Sequence, residues 1–126
     1  MSALHWFEIP VTNIERAKAF YETVLDVEIS IVDVTEQMGS ILGMIPDRGN
    51  PPAGALVQNS HHGYTPSQTG TLVYLTVGDI DLQLAVDKVD DAGGQVVLPK
   101  TSLGDNGFCA WVIDTEGNKV GLYSMK

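Results

Sequence analysis

The sequence repeats one pattern of predicted strands and helices, and this repetition constrains the fold more than any other feature. Val11-Thr12-Asn13-Ile14 ends a predicted strand and opens a predicted helix, and Val77-Gly78-Asp79-Ile80 does the same in the second half. Three further predicted strands follow each junction. The chain has 126 residues, the size of one ordinary domain. We therefore predict an α+β fold built from two tandem βαβββ modules.

Module one is predicted to span residues 1–58. Residues 4–11 are rich in β-forming side chains and favour a strand. Between Ile14 and Leu25, the apolar residues recur at the spacing of one helix face. The remaining predicted strands are 27–34, 38–45 and 53–58, with a loop of turn-forming residues over Pro46 to Pro52.

A polar segment, residues 59–70, is predicted to connect the two modules, because glycine and proline interrupt it and it is short. Module two is predicted to span 71–126. Its predicted elements are a strand over 71–77, a helix from Leu82 that ends at Gly93-Gly94, and strands over 95–98, 107–113 and 119–124. Residues 114–118 are predicted to join the last two strands as a hairpin.

Composition restricts the partners and the cellular setting. The net charge is −9, and the seven Lys and Arg residues are scattered, so neither nucleic acid nor an anionic membrane surface is an expected partner. Cys109 is the only cysteine, which rules out an intramolecular disulfide, and it is predicted to be buried in a strand. The sequence shows neither a signal-peptide pattern nor an apolar run long enough to span a bilayer, so we expect a cytoplasmic protein.

Three stretches carry a family resemblance. Residues 8–27, 77–94 and 114–122 resemble, in this order, the opening strand and helix, the second helix and the final hairpin of the vicinal oxygen chelate superfamily. This superfamily includes glyoxalase I, bleomycin-resistance proteins and extradiol dioxygenases. The resemblance implies two sheets that form a half-open, barrel-like structure around a central cavity, which holds a metal or a ligand. It also implies a homodimer.

The metal-ligand positions are where this chain departs from the resembled family. Its members bind a divalent metal through His, Gln or Glu side chains, one from each of four strands. The corresponding positions here are Trp6, either Ala55 or Leu56, Leu72, and Gly121. None of these side chains can bind a divalent ion. We therefore expect no metal cofactor, and a protein that binds a small-molecule ligand or substrate.

Glu8 is the candidate catalytic residue. If Trp6 faces the cavity, then Glu8, two residues along the strand, faces it too. Desolvation of an inward carboxylate favours its protonated form and makes it a better general base. The alternative interpretation is an ordinary hydrogen-bonded glutamate at the mouth of the cavity.

The other candidate ligand-binding residues are aromatic. By the same alternation, Tyr74 and Tyr123 share the cavity face with Trp6. Trp111, or its neighbours Phe108 and Val112, completes the lining, depending on the register. An aromatic wall with hydroxyl groups suits flat or partly apolar small molecules.

Two enzymatic alternatives remain open. The first is a lyase, isomerase or dioxygenase that holds a metal through unusual ligands, such as Glu8, His61 or His62. His5 is excluded from this set because alternation turns it away from the cavity. The second alternative is metal-free acid–base catalysis by Glu8.

Overall fold

The computed structural model describes residues 3–126, which form two four-stranded sheets. Sheet one has the order β1-β4-β3-β2, with β1 (Phe7–Pro10), β2 (Ser30–Val34), β3 (Ser40–Asp47) and β4 (Asn50–Gln58). Sheet two has the order β5-β8-β7-β6, with β5 (Tyr74–Thr76), β6 (Gln95–Ser102), β7 (Phe108–Ile113) and β8 (Lys119–Ser124). In each sheet the first strand is parallel to the last, and the other neighbours are antiparallel. The shared order confirms the predicted α+β fold with tandem modules.

The helices connect the strands at equivalent places in the two halves. They are α1 (Ile14–Leu25), α2 (Thr35–Met38) and α3 (Leu82–Val86), and a single 3-10 turn covers Gly104–Asn106. The side chain of Asn13 caps α1 and that of Asp81 caps α3, each by accepting a hydrogen bond from a backbone N–H of the first turn. The apolar residues of α1 that the sequence places on one face are all buried.

Each sheet turns one face toward the helices. Ile9 and Leu56 of sheet one, and Leu75 and Leu122 of sheet two, join the apolar sides of α1 and α3 in one core. We call the opposite side of each sheet its open face. Period-two alternation and the strand register assign the residues on it. On sheet one these are Glu8, Leu42, Ala55 and Val57, and on sheet two they are Tyr74, Cys109, Trp111, Gly121 and Tyr123.

The predicted loop over 46–52 is wrong. β3 continues to Asp47, β4 starts at Asn50, and a two-residue turn joins them. Both turn residues, Arg48 and Gly49, have positive φ, at 32° and 96°, as the tightest hairpin turns require. The prolines of 51–52 fit a strand here, because β1 pairs with β4 only from Gly54 onward and this edge needs no donor.

Several other elements differ from prediction in their bounds. β2 starts at Ser30 instead of 27, β5 covers Tyr74–Thr76 instead of 71–77, and β6 continues to Ser102 instead of ending at 98. The α-helix that starts at Leu82 ends at Val86, and residues 87–93 continue as turns. Hydrogen bonds from Lys88 N to Ala85 O and from Val89 N to Val86 O tighten the chain there toward 3-10 geometry. The strand predicted over 38–45 starts at Ser40, because α2 occupies residues 35–38 and ends at a left-handed glycine.

The hairpin between β7 and β8 ties the second half to α1. Glu116 accepts hydrogen bonds from the backbone N–H groups of Thr12 and Asn13, and its carboxylate lies 2.7 Å from Arg16 Nε. Desolvation opposes the ionised form of Glu116, but the hydrogen bonds from Arg16, Asn13, Thr115 and Thr12 outweigh it and lower the pKa to about 2. Ionised Glu116 thus anchors the start of α1.

This anchor predicts a pH-dependent loss of stability in Glu116→Gln. Because the pKa of Glu116 is lower in the folded state, its contribution to stability is complete above the ordinary glutamate pKa of 4.5 and is lost as the pH falls toward 2. We expect the variant to be about 1 to 2 kcal/mol less stable than wild type at pH 7. Urea unfolding at pH 7 and near pH 3 should show this difference shrinking in acid. A difference that is constant over this range would contradict the assignment.

Candidate functional site

Two cavities are each lined by residues of β1 together with residues of the second half of the chain. The first, which we call the Arg48 cavity, has a volume of about 160 Å³ and includes Phe7, Arg48 and Tyr74 in its lining. The second, which we call the connector cavity, has a volume of about 210 Å³ and is lined by Glu8, Lys119 and residues of the connector 59–70. The predicted site residues Glu8 and Tyr74 therefore line different cavities at the junction of the modules.

Glu8 stands at the centre of a hydrogen-bonded cluster on the open face of sheet one. The Tyr64 hydroxyl donates to Glu8 Oε1 at 2.6 Å, and Trp6 Nε1 donates to Glu8 Oε2 at 3.3 Å. Trp6 and Tyr64 also pack against the buried residues Leu42, Ala55 and Val57. The connector thus folds back over the open face of sheet one.

Tyr64 is a residue that the sequence analysis missed. The hydrogen bond to Glu8, partial desolvation and the charge of Glu8 raise the pKa of Tyr64. Tyr64 therefore remains a hydroxyl donor at neutral pH, and Glu8 receives two donors from the chain itself. The one available signal in the sequence was a single aromatic residue within an otherwise polar segment.

Tyr74 and Trp111 form the corresponding pair on sheet two. Trp111 Nε1 donates to the Tyr74 hydroxyl at 2.8 Å, and both residues lie beside Gly121 in the strand register. A Cβ atom on Gly121 would lie only 2.2 Å from the Tyr74 ring, so the ring covers the strand where a side chain is missing. Lys119 Nζ lies 5.0 Å from the centroid of Trp111. Tyr74 remains 48% exposed, which leaves an aromatic surface open to a ligand.

The register settles which neighbours share this face. Trp111 lies on the open face, whereas Phe108 and Val112 pack into the core between the sheets and the helices. Cys109 is buried in β7, as predicted. The hydroxyl of Tyr123 donates a hydrogen bond to the carbonyl of Asn106. Tyr123 lies two residues along β8 from Gly121, toward the end of the strand, and pairs with Cys109 instead of Trp111.

The predicted set thus falls into two groups and one outlier. Trp6 and Glu8 belong to the cluster on sheet one, Tyr74 and Trp111 belong to the pair on sheet two, and Tyr123 bonds to a loop. Within residues 3–126, no side-chain hydrogen bond joins the cluster on sheet one to the pair on sheet two.

The residues at the family's metal-ligand positions do not fit a metal. Ala55, not Leu56, pairs with Glu8 and faces the open side, and Gly121 occupies the equivalent place on sheet two. Trp6 and Leu72 complete the set, so the four positions offer no imidazole or carboxylate. Throughout the described chain, no three His, Cys, Asp or Glu side chains converge as metal ligands do.

The two connector histidines line a groove that also includes Tyr64, the hydrogen-bond donor to Glu8. His61 and His62 are exposed and line an open groove together with Asn59 and α2. His62 Nδ1 lies 3.2 Å from Asn59 Oδ1. Glu8 is absent from the residues that line this groove.

Comparison with known protein families matches nearly the whole chain to one family model. A family model of the Glyoxalase/Bleomycin resistance protein/Dioxygenase superfamily matches residues 3–122. CFP32 of Mycobacterium tuberculosis (strain CDC 1551 / Oshkosh), described as a candidate glyoxylase, is 42% identical over 50 residues. That match spans 40% of this chain and only 18% of the length of CFP32.

Solved structures show the same architecture. The V278E mutant of glyoxalase I from Zea mays aligns with a TM-score of 0.66 at 22% identity, over 95% of this chain and 45% of that one. The trypanothione-dependent glyoxalase I of Leishmania major aligns with a TM-score of 0.67 at 17% identity, over 99% and 88% of the two chains. At these identities the likeness establishes the fold alone.

No helix within residues 3–126 has the length and apolar character that crossing a membrane requires.

Proposed function

The chain belongs to the glyoxalase/bleomycin resistance protein/dioxygenase superfamily, and we propose that it is a member that binds a small molecule without a divalent metal. One observation carries this proposal. The four positions where the superfamily places its metal ligands hold Trp6, Ala55, Leu72 and Gly121, which offer aromatic or small apolar groups instead of donors.

The missing side chain at Gly121 has a direct consequence for binding. It lets the ring of Tyr74 lie across β8, where the hydrogen bond from Trp111 fixes its orientation. A fixed and half-exposed aromatic ring loses little conformational entropy when a flat ligand stacks on it. The proposed ligand therefore has a planar apolar part that contacts Tyr74 and Trp111.

Binding should depend on Trp111. We expect planar aromatic fragments to bind the chelator-treated protein, and we expect Trp111→Ala to weaken the best of them about tenfold or more, because the stacking surface and the partner of Tyr74 are both lost. Ligand-observed NMR with a fragment library measures this directly. Leu84→Ala, which removes an exposed apolar side chain from α3, is the matched control and should bind like wild type. Equal affinity in Trp111→Ala would contradict the proposed site.

The cluster on sheet one supports a second candidate, acid–base catalysis by Glu8. Glu8 lines the connector cavity, and its carboxylate accepts a hydrogen bond of 2.6 Å from the Tyr64 hydroxyl. A substrate that displaced Tyr64 would meet the free carboxylate oxygen at a position suited to remove a proton. Any activity found by screening should then be lost in Glu8→Gln, and an intact rate in that variant would rule the role out.

The metal-dependent alternative relies on Glu8, His61 and His62 as ligands. Glu8 does not line the groove of the two histidines, although Tyr64, which donates to Glu8, does. Within residues 3–126, no three His, Cys, Asp or Glu side chains converge as metal ligands do, so this alternative has less support. The homodimer and the cytoplasmic setting remain predictions of the sequence. Sedimentation of the purified protein at several concentrations tests the homodimer.

A further inference from the structure

Arg48 occupies a backbone position that normally favours other residues. It is the first residue of the two-residue turn between β3 and β4, with φ at 32°, in the left-handed region. Such turns usually carry glycine, which has no Cβ atom to clash, or asparagine or aspartate, whose short side chains can hydrogen-bond to the nearby backbone. A strained backbone of this kind persists only where surrounding contacts hold it.

Part of that explanation is a tie between the two halves of the chain. Arg48 Nη2 donates to the carbonyl of Leu25 at 2.9 Å and to the carbonyl of Thr76 at 3.4 Å. The guanidinium also lies over Gly78, where an added Cβ atom would be 3.1 Å from Cζ. One nitrogen of the fork thus holds the end of α1 next to β5.

The rest of the guanidinium is unused by the described chain. Within residues 3–126, Nε and Nη1 donate no hydrogen bond, and Arg48 forms no ion pair, although the chain has a net charge of −9. A planar fork with free donors matches a carboxylate, which it can bind through two parallel hydrogen bonds.

An apolar pocket lies beside this fork. The Arg48 cavity, of about 160 Å³, has Phe7, Leu25, Val27, Ile45 and Leu75 among its lining residues. A dry cavity of about 150 Å³ is large enough for a benzene ring. Asp47 is also a lining residue, and its negative charge opposes a doubly charged anion more than a singly charged one, so a monocarboxylate is favoured over phosphate.

We propose that the Arg48 cavity binds a small planar monocarboxylate, with its ring among the apolar residues and its carboxylate on the guanidinium of Arg48. This site goes beyond the proposed function, because it lies between the modules and shares only Tyr74 with the pair on sheet two. It would bind its ligand whether or not the open face of sheet two binds another.

Benzoate is the probe for this site, and its neutral isostere benzamide is the matched ligand control. In a titration followed by two-dimensional NMR of the backbone amides, we expect saturable shifts for Phe7, Leu75 and Thr76 with benzoate. Benzamide and inorganic phosphate should bind about tenfold more weakly or not at all. Benzamide carries no charge for the guanidinium of Arg48, and phosphate is neither planar nor apolar.

Three variants make the test decisive. Arg48→Met should weaken benzoate binding about tenfold or more, whereas Lys88→Met, which removes one positive charge elsewhere, should leave it unchanged. Arg48→Met also removes the hydrogen bonds that tie the two modules, so Ala53→Leu tests the cavity without changing Arg48. It fills the cavity from β4 and should abolish binding while the bonds from Arg48 remain. Equal binding of benzamide, no saturable shifts, or unchanged affinity in Ala53→Leu would overturn the proposal.

Discussion

Replacing Asp114 by alanine is expected to cost about 3 to 5 kcal/mol of the free energy of unfolding, the largest effect of any single change proposed for this chain. Asp114 is buried, and its carboxylate accepts hydrogen bonds from the Tyr21 hydroxyl, from the Asn118 side chain and from the backbone N–H groups of Glu116 and Asn118. Alanine leaves the buried Tyr21 hydroxyl and the backbone N–H groups of Glu116 and Asn118 without this acceptor, whereas the Asn118 side chain keeps its hydrogen bond to the carbonyl of Pro10. Burial and the charge of Asp114 raise the pKa of Tyr21, so Tyr21 remains the donor.

Urea unfolding at pH 7 measures the effect, with Asp91→Ala as the control. Asp91 is exposed, so its replacement should change stability by about 0.5 kcal/mol at most. Tyr21→Phe should fall between the two, because it removes one donor and leaves Asp114 with three others. A cost below about 1 kcal/mol for Asp114→Ala would show that the hairpin is not anchored through this carboxylate.

Gly121→Ala is expected to destabilise the protein by about 2 kcal/mol and to weaken ligand binding on sheet two. The added Cβ atom would lie 2.2 Å from the Tyr74 ring, which must swing away and give up the hydrogen bond from Trp111. Both thermal unfolding and the affinity of the best aromatic fragment should report the change.

A double-mutant cycle identifies the cause. In a Tyr74→Ala background the ring is gone, so adding Gly121→Ala should cost little, about 0.5 kcal/mol or less. If Gly121→Ala costs the same with and without Tyr74, then the packing of the ring on the strand does not explain the glycine.

The sequence allowed the topology to be predicted because its signals are local. The strand–helix junctions at 11–14 and 77–80 appear as changes of apolar period, and the structure has a strand followed by a helix at each place. Period-two alternation also assigned Glu8 and Tyr74 to the open faces, because it depends only on neighbours along a strand.

The features that the sequence did not reveal depend on distant contacts. Tyr64 meets Glu8 only because the connector folds back over sheet one, and no local pattern encodes that path. The Arg48-Gly49 turn was hidden by neighbouring prolines, which are usually read as loop residues but are tolerated along an unpaired stretch of β4. The division of the predicted site into two groups likewise depends on how the two sheets are placed.

The two groups suggest different tasks for the two open faces. Sheet one holds a carboxylate covered by the connector, and sheet two holds an exposed aromatic pair beside a strand glycine. The four positions that correspond to the superfamily's metal ligands, Trp6, Ala55, Leu72 and Gly121, carry no metal-binding side chain, and this departure is the basis of the account.

The most direct test of that account is the number of metal ions bound per chain. Untagged protein is equilibrated with Zn²⁺, Ni²⁺, Mn²⁺ or Fe²⁺, freed of unbound ions by gel filtration, and analysed by mass spectrometry of the elements. We predict a content far below one ion per chain for each metal, with the same value in wild type and Glu8→Gln. One ion per chain, lost in Glu8→Gln, would contradict the proposal of a metal-free binding protein and establish the metal-dependent alternative.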